Sequence, residues 1–265
     1  MRLPLMRLLT LSAVLASHLA LSQYPALGQL TIPAAASAHG VGDTFWRTDL
    51  WIGNQSDRNL TLHVYFDCRS GCSEDQFFTH QVTLLPYETK MLEDVLGTAF
   101  QLPGTSGALR VAESCWHCPP PVPFFATSRT YTVGASEHGT YGTAVPAFSN
   151  SQQTSRALFP GASSHGRDLS SGYRTNAGFT PASNGSYTVT FTLKGFSGQV
   201  LGTPITLPGA GPLQVDDVFA AAGAGGVETR DAILEITSTK AGFPYAFVID
   251  NASGDSVFVQ GFFTP

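Results

Sequence analysis

Charge is scarce in this chain of 265 residues: Asp, Glu, Lys and Arg together make up 12%, about half of the roughly 25% usual in soluble domains. What charge there is leans acidic, to a formal −5, which argues against a nucleic-acid binder with its basic patch or stripe. After residues 8–21 no second long apolar run follows, so no further membrane-spanning helix of about 20 residues is predicted. Hydrolase signatures are missing too. The nearest approach to a Gly-x-Ser-x-Gly elbow, Gly104-Thr105-Ser106-Gly107-Ala108, fails at its last position. No His-Glu-x-x-His is present, and the histidines are scattered. Cysteine is absent from the second half altogether: Cys68, Cys72, Cys115 and Cys118 all fall in the first.

The N-terminus has the form of an export signal. Arg2 and Arg7 make a positive start, Leu8 to Leu21 is apolar, and small residues at Ala20-Leu21-Ser22 and Ala26-Leu27-Gly28 offer cleavage sites. Residues 1–28 are therefore predicted to be a signal peptide, leaving a soluble chain without a transmembrane segment. Its expected location is secreted, extracellular or periplasmic. No Cys follows the apolar run, which argues against lipid anchoring. Four Asn-x-Ser/Thr sites, at Asn54, Asn59, Asn184 and Asn251, carry little weight in so Ser/Thr-rich a chain.

What is present is a domain written twice. Pro33, Arg47, Thr48 and Asp49 return as Pro160, Arg174, Thr175 and Asn176 at one offset (174 − 47 = 127). Leu60 to Phe66 returns as Tyr187 to Leu193, Leu92-Glu93-Asp94-Val95-Leu96 as Val215-Asp216-Asp217-Val218-Phe219, and Phe125-Ala126 as Tyr245-Ala246. In the first of these runs Leu60, Leu62, Val64 and Phe66 alternate with Thr61, His63 and Tyr65, the period of a half-buried strand. With 27 Gly and 17 Pro, turn formers separate short strands throughout, and the only helical stretches expected are 92–100 and 215–222. The prediction is an all-β chain of two tandem antiparallel β-sandwich domains, immunoglobulin-like in strand count. Their bounds are 29–148 and 157–265, with a linker at 149–156.

The duplicated Arg motif is the first candidate site. Arg47 and Arg174 each have a charged partner in reach of the fold, Asp94 and Asp217. The pairs either bind an anionic or sugar ligand or tie a strand to a turn, and recurrence favours the tie. The cysteines allow three readings. An even number in an exported chain suggests disulfides, CxxxC with CxxC spacing suits zinc, and Cys115-Trp116-His117-Cys118 has the CxxC form of a thiol oxidoreductase. Redox chemistry needs a helix to lower the thiol pKa, and Pro119-Pro120-Pro121 forbids one there. Disulfides are expected, with the pairing open. Asp250 to Asp255 is oxygen-rich but lacks the acid pattern of a calcium loop and reads as a turn. Trp51, on the outer face of its strand, and Trp116, in a loop, are candidate binding aromatics. Trp46 shares the core face with Leu50.

The phrases Phe45-Trp46-Arg47-Thr48-Asp49-Leu50, Leu92-Glu93-Asp94-Val95-Leu96, Ser106-Gly107-Ala108-Leu109 and Ser128-Arg129-Thr130-Tyr131 together resemble secreted bacterial proteins with tandem β-sandwich repeats. In strand pattern alone the repeat is also similar to the small β-sandwich of the sensory rhodopsin transducer family. The resemblance implies a non-enzymatic module and supplies no catalytic residue. The expected function is a secreted binding or structural module with a protein or glycan partner and no cofactor. The alternative is a secreted hydrolase with its site in the cleft between the domains.

Overall fold

The computed structural model describes residues 28–40, 44–72, 78–113, 122–133, 139–165 and 170–263. Cys115, Trp116, Cys118 and nearly all of the signal segment lie outside them. The described chain is all-β, most of it strand and very little of it helix, in two antiparallel sheets.

In the first half the strands are β1 (Gln29–His39), β2 (Phe45–Asn54), β3 (Leu60–Ser70), β4 (Phe78–Leu84), β5 (Thr89–Leu92), β6 (Thr105–Glu113), β7 (Phe124–Val133), β8 (Thr140–Pro146) and β9 (Phe148–Ser149). One layer runs β4-β3-β6-β1 with β9 on β1; the other holds β2, β7 and β8 with β5 on β2. β1 joins them, because its end pairs Ala38 with Trp46 and His39 with Phe45. The layers close on each other over Ile32, Leu50, Ile52, Leu62, Val64, Leu109, Val111 and Val145, all without solvent contact. The arrangement is sandwich-like.

The second half contains β10 (Thr154–His165), β11 (Tyr173–Pro181), β12 (Tyr187–Lys194), β13 (Ile205–Gly209), β14 (Leu213–Val215), α1 (Val218–Ala221), β15 (Glu228–Asp250), β16 (Ser256–Val259) and β17 (Phe262–Phe263). Its pairings repeat those of the first half. β13-β12-β15-β10-β17 parallels β4-β3-β6-β1-β9, and β14-β11-β15-β16 parallels β5-β2-β7-β8. Two things differ: β15 is a single strand of 23 residues that serves both layers, and β10 pairs with β15 and β17 but not with β11, where β1 pairs with β2. The alternation in β12 buries Tyr187, Val189, Phe191 and Leu193 while Thr188 is exposed and Thr190 and Thr192 are partly so. Emptying one such site, as in Phe191→Ala, costs about 3–5 kcal/mol.

Neither stretch expected to be helical forms a full helix. Residues 93–99 are successive turns, and 215–222 yields only the single turn of α1. The cause is local: Asp94 has φ 38 and Asp217 φ 54, a left-handed backbone that interrupts a right-handed helix. β10 also begins at Thr154, inside the segment read as a linker.

Candidate functional site: the cleft between the halves

β11 and the end of β15 pair with Arg174 opposite Ile249, Asn176 opposite Phe247 and Gly178 opposite Tyr245. Because side chains alternate across a strand, these six residues share one sheet face. That face lies against the first half, where Tyr245, Phe247 and Ile249 join its core cluster. Only glycine fits at 178, since a Cβ there would collide with the Tyr245 ring. Two sets of hydrogen bonds pin the halves together. Thr180 Oγ1 donates to Pro33 O at 2.9 Å and Arg110 Nη2 to Pro181 O at 3.3 Å. Farther along, Phe258 N donates to Thr143 Oγ1 at 3.1 Å and Gly142 N to Asp255 Oδ1 at 3.2 Å.

A cavity of about 590 Å³ lies in this junction, walled by residues of both halves. Its volume is that of a small-molecule site. Alanines of β1, with Phe247 and Ile249, give it apolar walls, and Trp46, expected in the core, lines it from the start of β2. The polar groups converge from four places. Arg69, at the end of β3, donates through Nε and Nη2 to Ser106 Oγ at 3.2 and 2.9 Å, and Ser106 Oγ lies 2.7 Å from Ser70 Oγ. Arg174 is 8% exposed and donates through Nη1 to Asn251 Oδ1 at 2.6 Å. Asp216 Oδ1 accepts from Asn176 Nδ2 at 3.1 Å and from Gln214 Nε2 at 2.5 Å. Buried Tyr245 donates to Gln214 Oε1 at 3.2 Å.

Burial lowers the Arg174 pKa from its ordinary value, against the opposing fields of Asp216 and Asp217. Burial also raises the Tyr245 phenol well above its usual range, so it stays neutral. No described hydroxyl in the lining is hydrogen-bonded to a histidine or a carboxylate, the pairing an activated nucleophile needs. Among the described residues no cluster of three or more His, Cys, Asp or Glu could hold a metal, and no helix is long and apolar enough to cross a membrane.

The predicted residues separate. Arg47 Nε lies 3.9 Å from Asp94 Oδ2 with its side chain 41% exposed, and the guanidinium sits over the Phe45 ring. That is an ion pair on an outer surface. Arg174 does not close on Asp217 but on Asn251, and it faces the cleft. Asp217 instead caps α1, accepting from Ala220 N at 3.1 Å. Trp51 is half-buried on the outer face of β2, opposite Met91 and Thr127. Cys68 and Cys72 form a disulfide with Cα atoms 6.4 Å apart, and the ring it closes contains Arg69 and Ser70. Arg69, Ser106, Asp216 and Tyr245 were missed as site residues. One signal for Tyr245 was present: Phe243 to Ile249 is apolar at both strand parities, the mark of a strand covered on both faces.

Comparison with protein-family models, with curated proteins and with solved structures finds no match.

Proposed function

We propose that this chain is an exported, non-catalytic binding module, built of two immunoglobulin-like sandwiches from one duplicated domain, that holds a small ligand in the cleft between them. The observation that carries the reading is the junction cavity of about 590 Å³, with apolar walls and hydrogen-bonding groups from both halves. Duplication is supported by the parallel strand pairing and by Thr48 and Thr175, which make matching bonds to β1 and β10. Export is supported by Arg2, Arg7 and the apolar run to Leu21, and by a disulfide, which persists in oxidising compartments. The likeness to secreted tandem-repeat proteins is of the same kind. Against the hydrolase reading, Ser106 is engaged by Arg69 and Ser70 rather than by a general base.

A protein-observed NMR screen of a small-metabolite library, run beside chromogenic ester, glycoside and peptide substrates, tests the proposal. Saturable binding that perturbs Tyr245 and Phe247, without turnover, is expected. Turnover abolished by Ser106→Ala would overturn it.

A further inference from the structure

We infer that the cleft receives a small organic carboxylate with an apolar or aromatic body, its carboxylate held by Arg69 and Arg174. This deepens the binding reading above and rests on it. Charge is the first argument. The lining holds two arginines and one aspartate, Asp216, a formal excess of +1 among those three, inside a chain of formal charge −5. A single negative charge balances that excess; a phosphate or sulfate dianion exceeds it.

Open donors are the second argument. Arg69 uses Nε and Nη2 on Ser106, and no described acceptor reaches its Nη1. Arg174 uses Nη1 on Asn251, and its Nε and Nη2 have no described acceptor. Neither guanidinium makes an ion pair with a described carboxylate. A guanidinium only 8% exposed and unpaired is costly to hold, and an incoming carboxylate relieves that cost with charge-assisted bonds. The lowered pKa of Arg174 has the same origin. Asp216 and Asp217 act on Arg174 through their fields, but neither is placed as its ion-pair partner, and Asp216 Oδ1 accepts from Asn176 and Gln214 instead.

The walls are the third argument. Ala34, Ala35, Phe247 and Ile249 line the same space, and a bare inorganic anion leaves that apolar surface without a partner. A carboxylate on a hydrocarbon or aromatic body uses both kinds of wall.

Isothermal titration calorimetry on the full chain with phenylacetate, hexanoate, their neutral amides and sulfate tests the inference. Each carboxylate is expected to bind at least about tenfold more tightly than its amide. Arg69→Gln and Arg174→Gln are each expected to weaken phenylacetate about tenfold while leaving phenylacetamide within about twofold, and Arg69→Lys to restore part of the loss. Circular dichroism checks that the variants fold. Should Arg174→Gln not fold, half-buried Arg69 still decides. Equal affinity for phenylacetate and phenylacetamide overturns the carboxylate assignment and leaves the binding reading standing. Sulfate binding as tightly as phenylacetate overturns it as well, and so does phenylacetate binding that neither arginine change weakens. Absence of heat from every probe up to about 1 mM overturns the inference, and the library screen then decides the binding reading independently.

Discussion

Thr48 and Thr175, 127 positions apart (175 − 48 = 127), make the same pair of bonds to the neighbouring strand. Thr48 Oγ1 accepts from Ala36 N at 2.8 Å and donates to Ala36 O at 3.1 Å. Thr175 Oγ1 accepts from Ser163 N and donates to Ser163 O, both at 2.8 Å. Both threonines are fully buried. Each hydroxyl thus serves both backbone groups of one residue, in β1 and in its counterpart β10. Val at either position keeps the shape and strands both groups. Thr48→Val and Thr175→Val are each expected to cost about 1–3 kcal/mol, read as a lower midpoint in urea unfolding.

Asp94 and Asp217 hold left-handed turns more than they hold arginines. Asp94 N donates to Asp49 Oδ1 at 2.9 Å and Asp217 N to Asn176 Oδ1 at 3.0 Å, while each carboxylate accepts from the amide three residues on. Asn tolerates that backbone and keeps an acceptor. Asp94→Asn and Asp217→Asn should therefore cost less than about 0.5 kcal/mol, and the Ala variants about 1–2 kcal/mol. The exposed Arg47–Asp94 pair adds little of this. Thermal unfolding of the four variants measures the difference, and an Asn variant as damaging as its Ala counterpart would restore the ion pair to the leading role.

Glu235 gives the chain an acid-sensitive tie. It pairs with Lys194 at 2.6 Å and Arg156 at 2.7 Å, and the Lys194 hydrogen bond leads the effects that lower its pKa, with burial opposing. A folded-state pKa below the unfolded one means that the carboxylate contributes stability above the unfolded value, near pH 4.3. That contribution is lost as pH falls through the folded value. Glu235→Gln should cost about 1 kcal/mol at pH 7, with the gap to wild type narrowing below about pH 4. A gap independent of pH would remove the ion pairs as its cause.

The Cys68–Cys72 ring bears on Arg69. Cys72→Ser, or reduction, is expected to lower stability by about 2 kcal/mol for so short a loop, and to weaken phenylacetate binding by loosening the Arg69–Ser106 contact. Peptide mapping of denatured, unreduced protein should find no free thiol at either position. Binding unaltered after reduction would show that Arg69 is positioned by Ser106 alone.

Much of the fold was legible because β3 and β12 alternate cleanly. β1, which joins the layers of the first half, and its counterpart β10 were not. β1 contains Pro33 and four alanines, and β10 contains Pro160 and Gly161; proline within a run argues against a strand. Both strands survive by shifting register there, between Ile32 and Ala35 in β1 and between Pro160 and Ala162 in β10. The cleft was hidden for a different reason. Arg69 meets Arg174 and Tyr245 only through the packing of one half on the other, which no local pattern encodes. The shared motif also misled, since Arg47 and Arg174 occupy matching strand positions, but only the second is roofed by its neighbour.

Strand β15 runs unbroken from Glu228 to Asp250, carrying Leu234 and Ile236 of the second core at one end and the cleft wall of Tyr245, Phe247 and Ile249 at the other. Amide exchange follows cooperative units, not single contacts. Slowed exchange on filling the cleft would therefore not stop at the wall. It would travel down the strand to residues that no ligand touches, so that the second half reports occupancy from its own interior.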